Sequence, residues 1–280
     1  MSVEKITWIA SYPKSGNTWL RMLLNAYKQN GYVNINESIV TSGDNLEYFT
    51  RVVSPLPLEH LGFRGKLLLR PAALLHQLTV SVPRPLFIKT HHVNGQVDVL
   101  PHLIPKDLTE RAIYVVRDPR DVASSFATHV KKPIDEIIQE MNNPAYGLAN
   151  EGTIPHCLNT WSTHVSSWIN TSDYPVLLVR YEDMIEDVRS ELIRVLEFCK
   201  MDIDESLVDK AVEACHISKL REQESSNGFR ERKRDDYTFF YKGGSRWKSK
   251  LDMNQVGLIE QDHSDMMIEL RYELSNREAA

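Results

Sequence analysis

Residues 11–18 read Ser-Tyr-Pro-Lys-Ser-Gly-Asn-Thr and lie between an apolar run and an amphipathic one. That pattern is strand, loop, helix, and the loop has the composition of an anion cradle. Gly16 lets the backbone turn so that several N–H groups point inward. The helix N-terminus adds a partial positive charge and Lys14 a full one. Ser15 and Thr18 offer hydroxyls. The plainer alternative is an ordinary βα turn with a surface lysine. The G-x-x-x-x-G-K-[ST] phosphate loop is absent, because Lys14 precedes Gly16. This counts against a kinase, in which Lys followed by Ser/Thr serves the phosphates and Mg²⁺.

Two further apolar runs end in reactive side chains. Ile-Tyr-Val-Val-Arg-Asp-Pro delivers Arg117 at the C-terminal end of a strand, where open α/β sheets take ligands. Ser125 follows eight residues later, inside the next helix. A guanidinium is a bidentate phosphate partner; the alternative is a structural ion pair with Asp118 or Asp121. Leu-Phe-Ile-Lys-Thr-His-His sets Lys89, His91 and His92 at another strand end. Lone histidines are more often structural than catalytic. Neighbours on an extended segment face opposite sides, so only one of this pair can face a site.

The elements that must position these groups alternate. Residues 6–10, 86–88, 112–116 and 176–179 read as short buried strands of a parallel sheet. Helical patterns follow at 18–29, 119–128 and 183–198, with a last one at 253–273. Pro119 just after Asp118 is a helix-start signal, and Asp183 is expected to cap the helix after Tyr181. The fold expected is a single doubly wound α/β domain over residues 1–280, with a central parallel sheet flanked by helices. Intervals 31–85 and 131–157 break the alternation and read as lids or binding loops, and 216–246 as a polar, basic loop.

Composition narrows the function classes. The formal net charge of −5 argues against a general nucleic-acid binder. Three cysteines without C-x-x-C spacing argue against a disulfide framework and a zinc site, so no metal is expected. The N-terminus shows no signal-peptide core, and no apolar run approaches the ~20 residues that span a bilayer. A cytoplasmic chain without membrane association is expected.

The ordered segments resemble the PAPS-dependent sulfotransferases, the cytosolic-type and bacterial small-molecule enzymes. PAPS is 3′-phosphoadenosine 5′-phosphosulfate. Tyr12–Trp19 is similar to the family's 5′-phosphosulfate loop, usually YPKSGTTW, with Asn17 in place of the first threonine. The resemblance implies a P-loop-like fold and donor contacts from Lys14, Ser15, Gly16, Asn17, Thr18 and Trp19. It implies that Arg117 and Ser125 clasp the 3′-phosphate, that Lys-Thr-His carries the catalytic histidine at His91, and that Tyr181 hydrogen-bonds adenine. Lys219-Leu220-Arg221 places Ile217 where the family packs an aromatic on adenine. The stretch Tyr-Lys-Gly-Gly-Ser-Arg-Trp resembles the R-K-G-x-x-G-x-W loop, through Lys242, Gly243 and Trp247. Tyr241 stands where arginine is expected, so one phosphate contact is missing or comes from elsewhere. Arg230, Arg232, Lys233, Arg234 and Lys248 are nearby, although residues 230–234 also read as a solvated charge run.

The implied reaction is in-line transfer of a sulfuryl group from PAPS to a hydroxyl or amine. It leaves adenosine 3′,5′-bisphosphate (PAP) and needs no metal. His91 would be the general base. Lys14 would stabilise the leaving phosphate with Lys89 as a second donor, and Ser125 would hydrogen-bond Lys14 when no acceptor is present. The acceptor would be a small molecule such as a natural product, held by 31–85 and 131–157. The alternatives are a catalytically inactive nucleotide-binding module, which has no need of a base, and a P-loop metabolite kinase. The family's K-x-x-x-T-V-x-x-x-E dimer motif is absent, since Asp252 and Met253 follow Lys248 at its T-V positions.

Overall fold

The structure, a computed structural model, describes residues 5–53, 58–80, 85–98, 100–148, 152–241 and 243–275. Its strands are β1 (Ile6–Ser11), β2 (Thr41–Ser42), β3 (Leu86–Thr90), β4 (Thr109–Val116), β5 (Gly147–Leu148), β6 (His156–Cys157) and β7 (Val176–Arg180). Its helices are α1 (Asn17–Lys28), α2 (Leu46–Val53), α3 (Phe63–Val80), α4 (Pro119–Val130), α5 (Ile134–Met141), α6 (Trp161–Ile169), α7 (Tyr181–Glu186), α8 (Val188–Phe198), α9 (Glu205–Ala214), α10 (Ile217–Asn227) and α11 (Met253–Glu269).

The chain forms two compact units, each assembled from separated stretches. The first takes Met1–Tyr12, Val40–Tyr114 and Asn143–Leu178. It contains most of a five-stranded parallel sheet of order β2-β3-β1-β4-β7, with Ile6 opposite Leu86 and Ala10 opposite Thr90. Every residue of β1 is buried, as expected for a central parallel strand. The intervals expected to be loops hold helices. Phe49 of α2, with Leu67 and Ala73 of α3, packs on Val93, Leu100, Leu103 and Ile154. Helix α3 escapes a one-sided pattern because Leu68 and Leu75 stay exposed while Leu67 and Leu74 are buried, and because it runs through Pro71. The short pairs β2–β3 and β5–β6 carry too few residues to leave a periodic signal.

The second unit takes Pro13–Ile39, Val115–Asn142 and Val179–Ala280. Helix α1 buries Leu20, Leu23, Leu24 and Tyr27, and the Tyr27 hydroxyl donates to the Asp202 carbonyl at 2.6 Å. Helix α4 starts as the sequence predicts: Pro119 follows the N-cap Asp118, whose side chain accepts from the Arg120 N–H. The helix expected over 183–198 is two helices. Asp187 interrupts it at φ −144° and caps α8 by accepting from the Ser190 N–H. Asp183 therefore does not cap; it lies inside α7 and pairs with Arg180 at 3.0 Å. Glu182 instead accepts from the Asp118 N–H at 3.1 Å and from the Tyr272 hydroxyl at 2.9 Å.

Candidate functional site

The residues expected to bind a donor all fall in the second unit, and Lys89 and His91 in the first. In the loop before α1 the backbone enters the left-handed region twice, at Lys14 (φ 67°) and at Gly16 (φ 102°). Alternation of this kind turns successive N–H groups toward one concave side. A side chain at Gly16 would lie 2.5 Å from the Tyr181 ring, so only glycine fits. The helix opens without a side-chain cap. Asn17 accepts from Arg21 Nε at 2.9 Å, and Thr18 donates to Glu231 at 2.9 Å. Arg21 also donates to Glu231, at 2.7 Å. Arg21 and Glu231 were not anticipated, because Glu231 sits in a stretch that reads as a solvated charge run.

Lys14 is half-buried, with its ammonium 3.9 Å from the Phe239 ring centroid. Burial lowers its pKa to about 7, against the pull of Glu231 and with the push of Arg117. Phe239 is placed by Glu224, a buried carboxylate that accepts from the Phe239 and Phe240 N–H groups at 2.7 and 2.9 Å. The basic run is thus engaged: Arg232 pairs with Glu224 and Asp235, and Arg234 donates to the Thr128 carbonyl.

Arg117 is buried at the end of β4. Its guanidinium lies 4.5 Å over the Tyr181 ring, donates to the Lys14 carbonyl at 3.3 Å and approaches Asp121 at 3.6 Å. Asp118 is held by Arg120 instead. Ser125 does not meet Lys14: its oxygen accepts from the Tyr241 hydroxyl at 2.9 Å. The Arg246 guanidinium lies 4.1 Å from the Tyr241 ring centroid. Tyr181 stands at the hub, edge-on to Trp19 and with its hydroxyl 2.2 Å from where a side chain at Gly243 would begin. Trp19 donates to the Cys215 carbonyl at 3.1 Å, and Ile217 opens α10 just beyond it, half-buried. Lys242 lies outside the described residues.

An anionic phosphosulfate fits this arrangement. Ser15 Oγ and Arg117 Nε are buried polar atoms without a hydrogen-bond partner among the described residues. Groups of that kind are costly unless something satisfies them.

In the first unit, half-buried Lys89 pairs with Ile9 across the sheet. His91 and His92 diverge as extended neighbours should. His92 is fully buried and His91 is half-buried. His91 Nδ1 lies 2.8 Å from the Ser11 carbonyl oxygen, which can only accept, so Nδ1 carries the proton and Nε2 keeps a lone pair. Asp44, His92 and His156 bring ligand-type atoms within 4.8 Å of one another. Arg70 Nε already lies 2.7 Å from Asp44 and supplies the counter-charge there. Burial pushes the Asp44 carboxyl up, but Arg70 and the histidines hold it well below its ordinary value.

A family model described as Sulfotransferase domain matches residues 4–270. Sulfotransferase 1E1 of Homo sapiens is 27% identical over 231 residues, which cover 78% of this chain and 67% of that protein. Sulfotransferase 1 family member D1 of Mus musculus is 27% identical over 267 residues, covering 92% and 82%. Among solved structures, retinol dehydratase in complex with androsterone and inactive cofactor PAP has a similar fold. Its TM-score is 0.63 at 20% identity, over 97% of this chain and 83% of that one.

Proposed function

The chain belongs to the sulfotransferase domain family, and from that premise we propose that it transfers a sulfuryl group from PAPS to a hydroxyl or amine of a small-molecule acceptor, as one sulfotransferase domain. The observation that carries the donor assignment is the buried cradle of the second unit, where Ser15 Oγ and Arg117 Nε await a partner beside Lys14.

PAPS, when bound, supplies an activated sulfuryl group attached to a phosphate. The roles of the chain's own residues follow from their chemistry. Lys14 presents a desolvated ammonium to the 5′-phosphate, where negative charge grows as the sulfuryl group departs. Gly16, Asn17, Thr18 and Ser15 contribute the loop around the phosphosulfate. Arg117 and Ser125 hold the 3′-phosphate; the Ser125 hydroxyl hydrogen is free to donate, since its oxygen accepts from Tyr241. Tyr181 hydrogen-bonds the base, Trp19 and Ile217 pack on it, and Tyr241 and Gly243 complete the pocket. His91 removes the acceptor's proton through the lone pair on Nε2, and Lys89 is a second cation. No helix among the described residues is long and apolar enough to cross a membrane, and we assign the reaction to the cytoplasm.

Titration calorimetry tests the donor reading. PAP is expected to bind, and ATP with Mg²⁺ is not; the reverse would support a metabolite kinase. His91→Ala is expected to abolish sulfate transfer, in a screen of phenols, alcohols and amines, while PAP still binds. Wild-type turnover in that variant would remove His91 as the base.

A further inference from the structure

Next to His91 lies a buried cluster that the reaction, as proposed, does not use. It comprises Asp44, Arg70, His92 and His156, all at most 2% exposed. Four separate stretches of chain converge on it. The Ile154 N–H donates to the Asp44 carbonyl at 2.9 Å, and the Val93 N–H to the Cys157 carbonyl at 2.8 Å. The Cys157 N–H donates to His92 Nδ1 at 3.0 Å. This last bond fixes the His92 tautomer: Nδ1 accepts, so Nε2 carries the proton and donates to Asp44 Oδ1 at 3.1 Å. The other carboxylate oxygen of Asp44 faces His156 Nε2 at 3.3 Å. Arg70 Nε lies 2.7 Å from Asp44 Oδ1 and balances the carboxylate charge.

His156 is the member that reaches His91. Its ring stands edge-on to His91, with centroids 5.7 Å apart and planes at 88°, and edge-on to His92 at 5.1 Å. His91 is also held from two other directions. Its Nδ1–H donates to the Ser11 carbonyl at 2.8 Å, and its own carbonyl lies 3.1 Å from His164 Nε2. The bond to Ser11 selects a tautomer only while the ring stays in one orientation. A ring free to turn would present Nδ1 and Nε2 alternately. We propose that His156, set beside Asp44, is a positioning residue for His91: its ring bars that turn and holds His91 in the tautomer with Nε2 unprotonated. The proposal rests on the reading of His91 as the general base. It gives the segment 152–157, expected from sequence only to hold the acceptor, a part in aligning the base.

The test is ¹⁵N NMR of the full chain with labelled histidine, at a pH above the histidine titration range, with His91 assigned by the resonances lost in His91→Ala. In the wild type the two His91 ring nitrogens are expected well apart, one protonated and one bare. His156→Ala is expected to draw the two shifts together as tautomers exchange. His156→Phe keeps an edge-on ring and is expected to keep the separation. PAP affinity should be unchanged in both variants, because the donor residues lie in the other unit. An unchanged His91 signature in His156→Ala would overturn the proposal, as would equal averaging in the Phe variant. Should the alanine variant fail to fold, His156→Gln, which keeps a donor toward Asp44 but no ring, is expected to show the averaging, and retained separation there overturns the proposal equally. Failure of the donor reading would appear separately, as wild-type protein that does not bind PAP.

Discussion

Lys14 is half-buried and Arg117 buried, and desolvation has different consequences for what each can report. Lys14 has lost most of its hydration, and this outweighs the pull of Glu231, so its pKa falls from 10.5 to about 7. An anion bound beside it favours the protonated form. Below about pH 7 the ammonium is already charged and PAP affinity should be level. Above that pH, binding must take up a proton, and affinity should fall by up to about tenfold per pH unit. Calorimetry from about pH 6 to about pH 9, in buffers of different ionisation enthalpy, reads both the affinity and the proton uptake. Wild-type affinity that stays level across that range would rule out Lys14 as the titrating contact, and Lys14→Met should bind weakly at every pH. Arg117 stays charged throughout. Its loss by Arg117→Ala removes charge-assisted hydrogen bonds worth about 1.5–3 kcal/mol, so PAP should bind roughly 10- to 150-fold more weakly. An unchanged Kd would place the 3′-phosphate elsewhere.

The strand–loop–helix around Gly16 is the element on which the donor site depends. At φ 102° an L side chain is strained, and its first carbon would stand 2.5 Å from the Tyr181 ring. Gly16→Ala should therefore push Tyr181 out of place or distort the loop, costing about 1–3 kcal/mol of stability. Calorimetry should show weaker PAP binding alongside a lower Tm; wild-type values for both would show that the close approach has no consequence. This element was legible in the sequence because strand, loop and helix lie in one continuous stretch, and so were the strands that bring His91 and Arg117 to their ends. What depends on distant contacts was not legible. Asp187 breaks the helix after Tyr181 by capping a new one, which apolar spacing alone does not reveal. Glu224 places Phe239 against Lys14 from 15 residues away in sequence. Asp44, Arg70 and His156 come from intervals that read as loops, and their shared burial exists only once those intervals fold into a core. Tyr241 was legible as a departure from the family pattern, but its bond to Ser125 and the stacking of Arg246 on it were not.

Across the whole molecule, charge is distributed rather than balanced. Residues 230–250 hold eight basic and three acidic side chains inside a chain of net charge −5. Part of that positive charge is spent internally, as Arg232 and Arg234 form ion pairs with Glu224, Asp235 and Asp236. A focused basic cleft is compatible with an acidic total, since it is local potential that guides a small anion. Histidine makes a second molecule-wide contribution. Burial lowers the pKa of His92 to about 4, His129 to about 3, His164 to about 3 and His263 to about 4. In the unfolded chain each titrates near 6.5. Between that value and the folded ones, the unfolded state binds more protons, so stability rises with pH and is lost on acidification. The slope is at most about 1.4 kcal/mol per pH unit for each histidine fully in its window. Asp121 and Glu182, whose carboxyls burial pushes up, oppose this at lower pH, where carboxylates titrate. The loss should therefore begin just below neutrality, above the range in which carboxylates respond. Thermal unfolding at constant ionic strength should show Tm falling steadily as pH drops from about 7 to about 5. A Tm that holds level across that interval and falls only below it would mean that acid sensitivity lies in the carboxylates, and that these histidines are not held neutral by the fold.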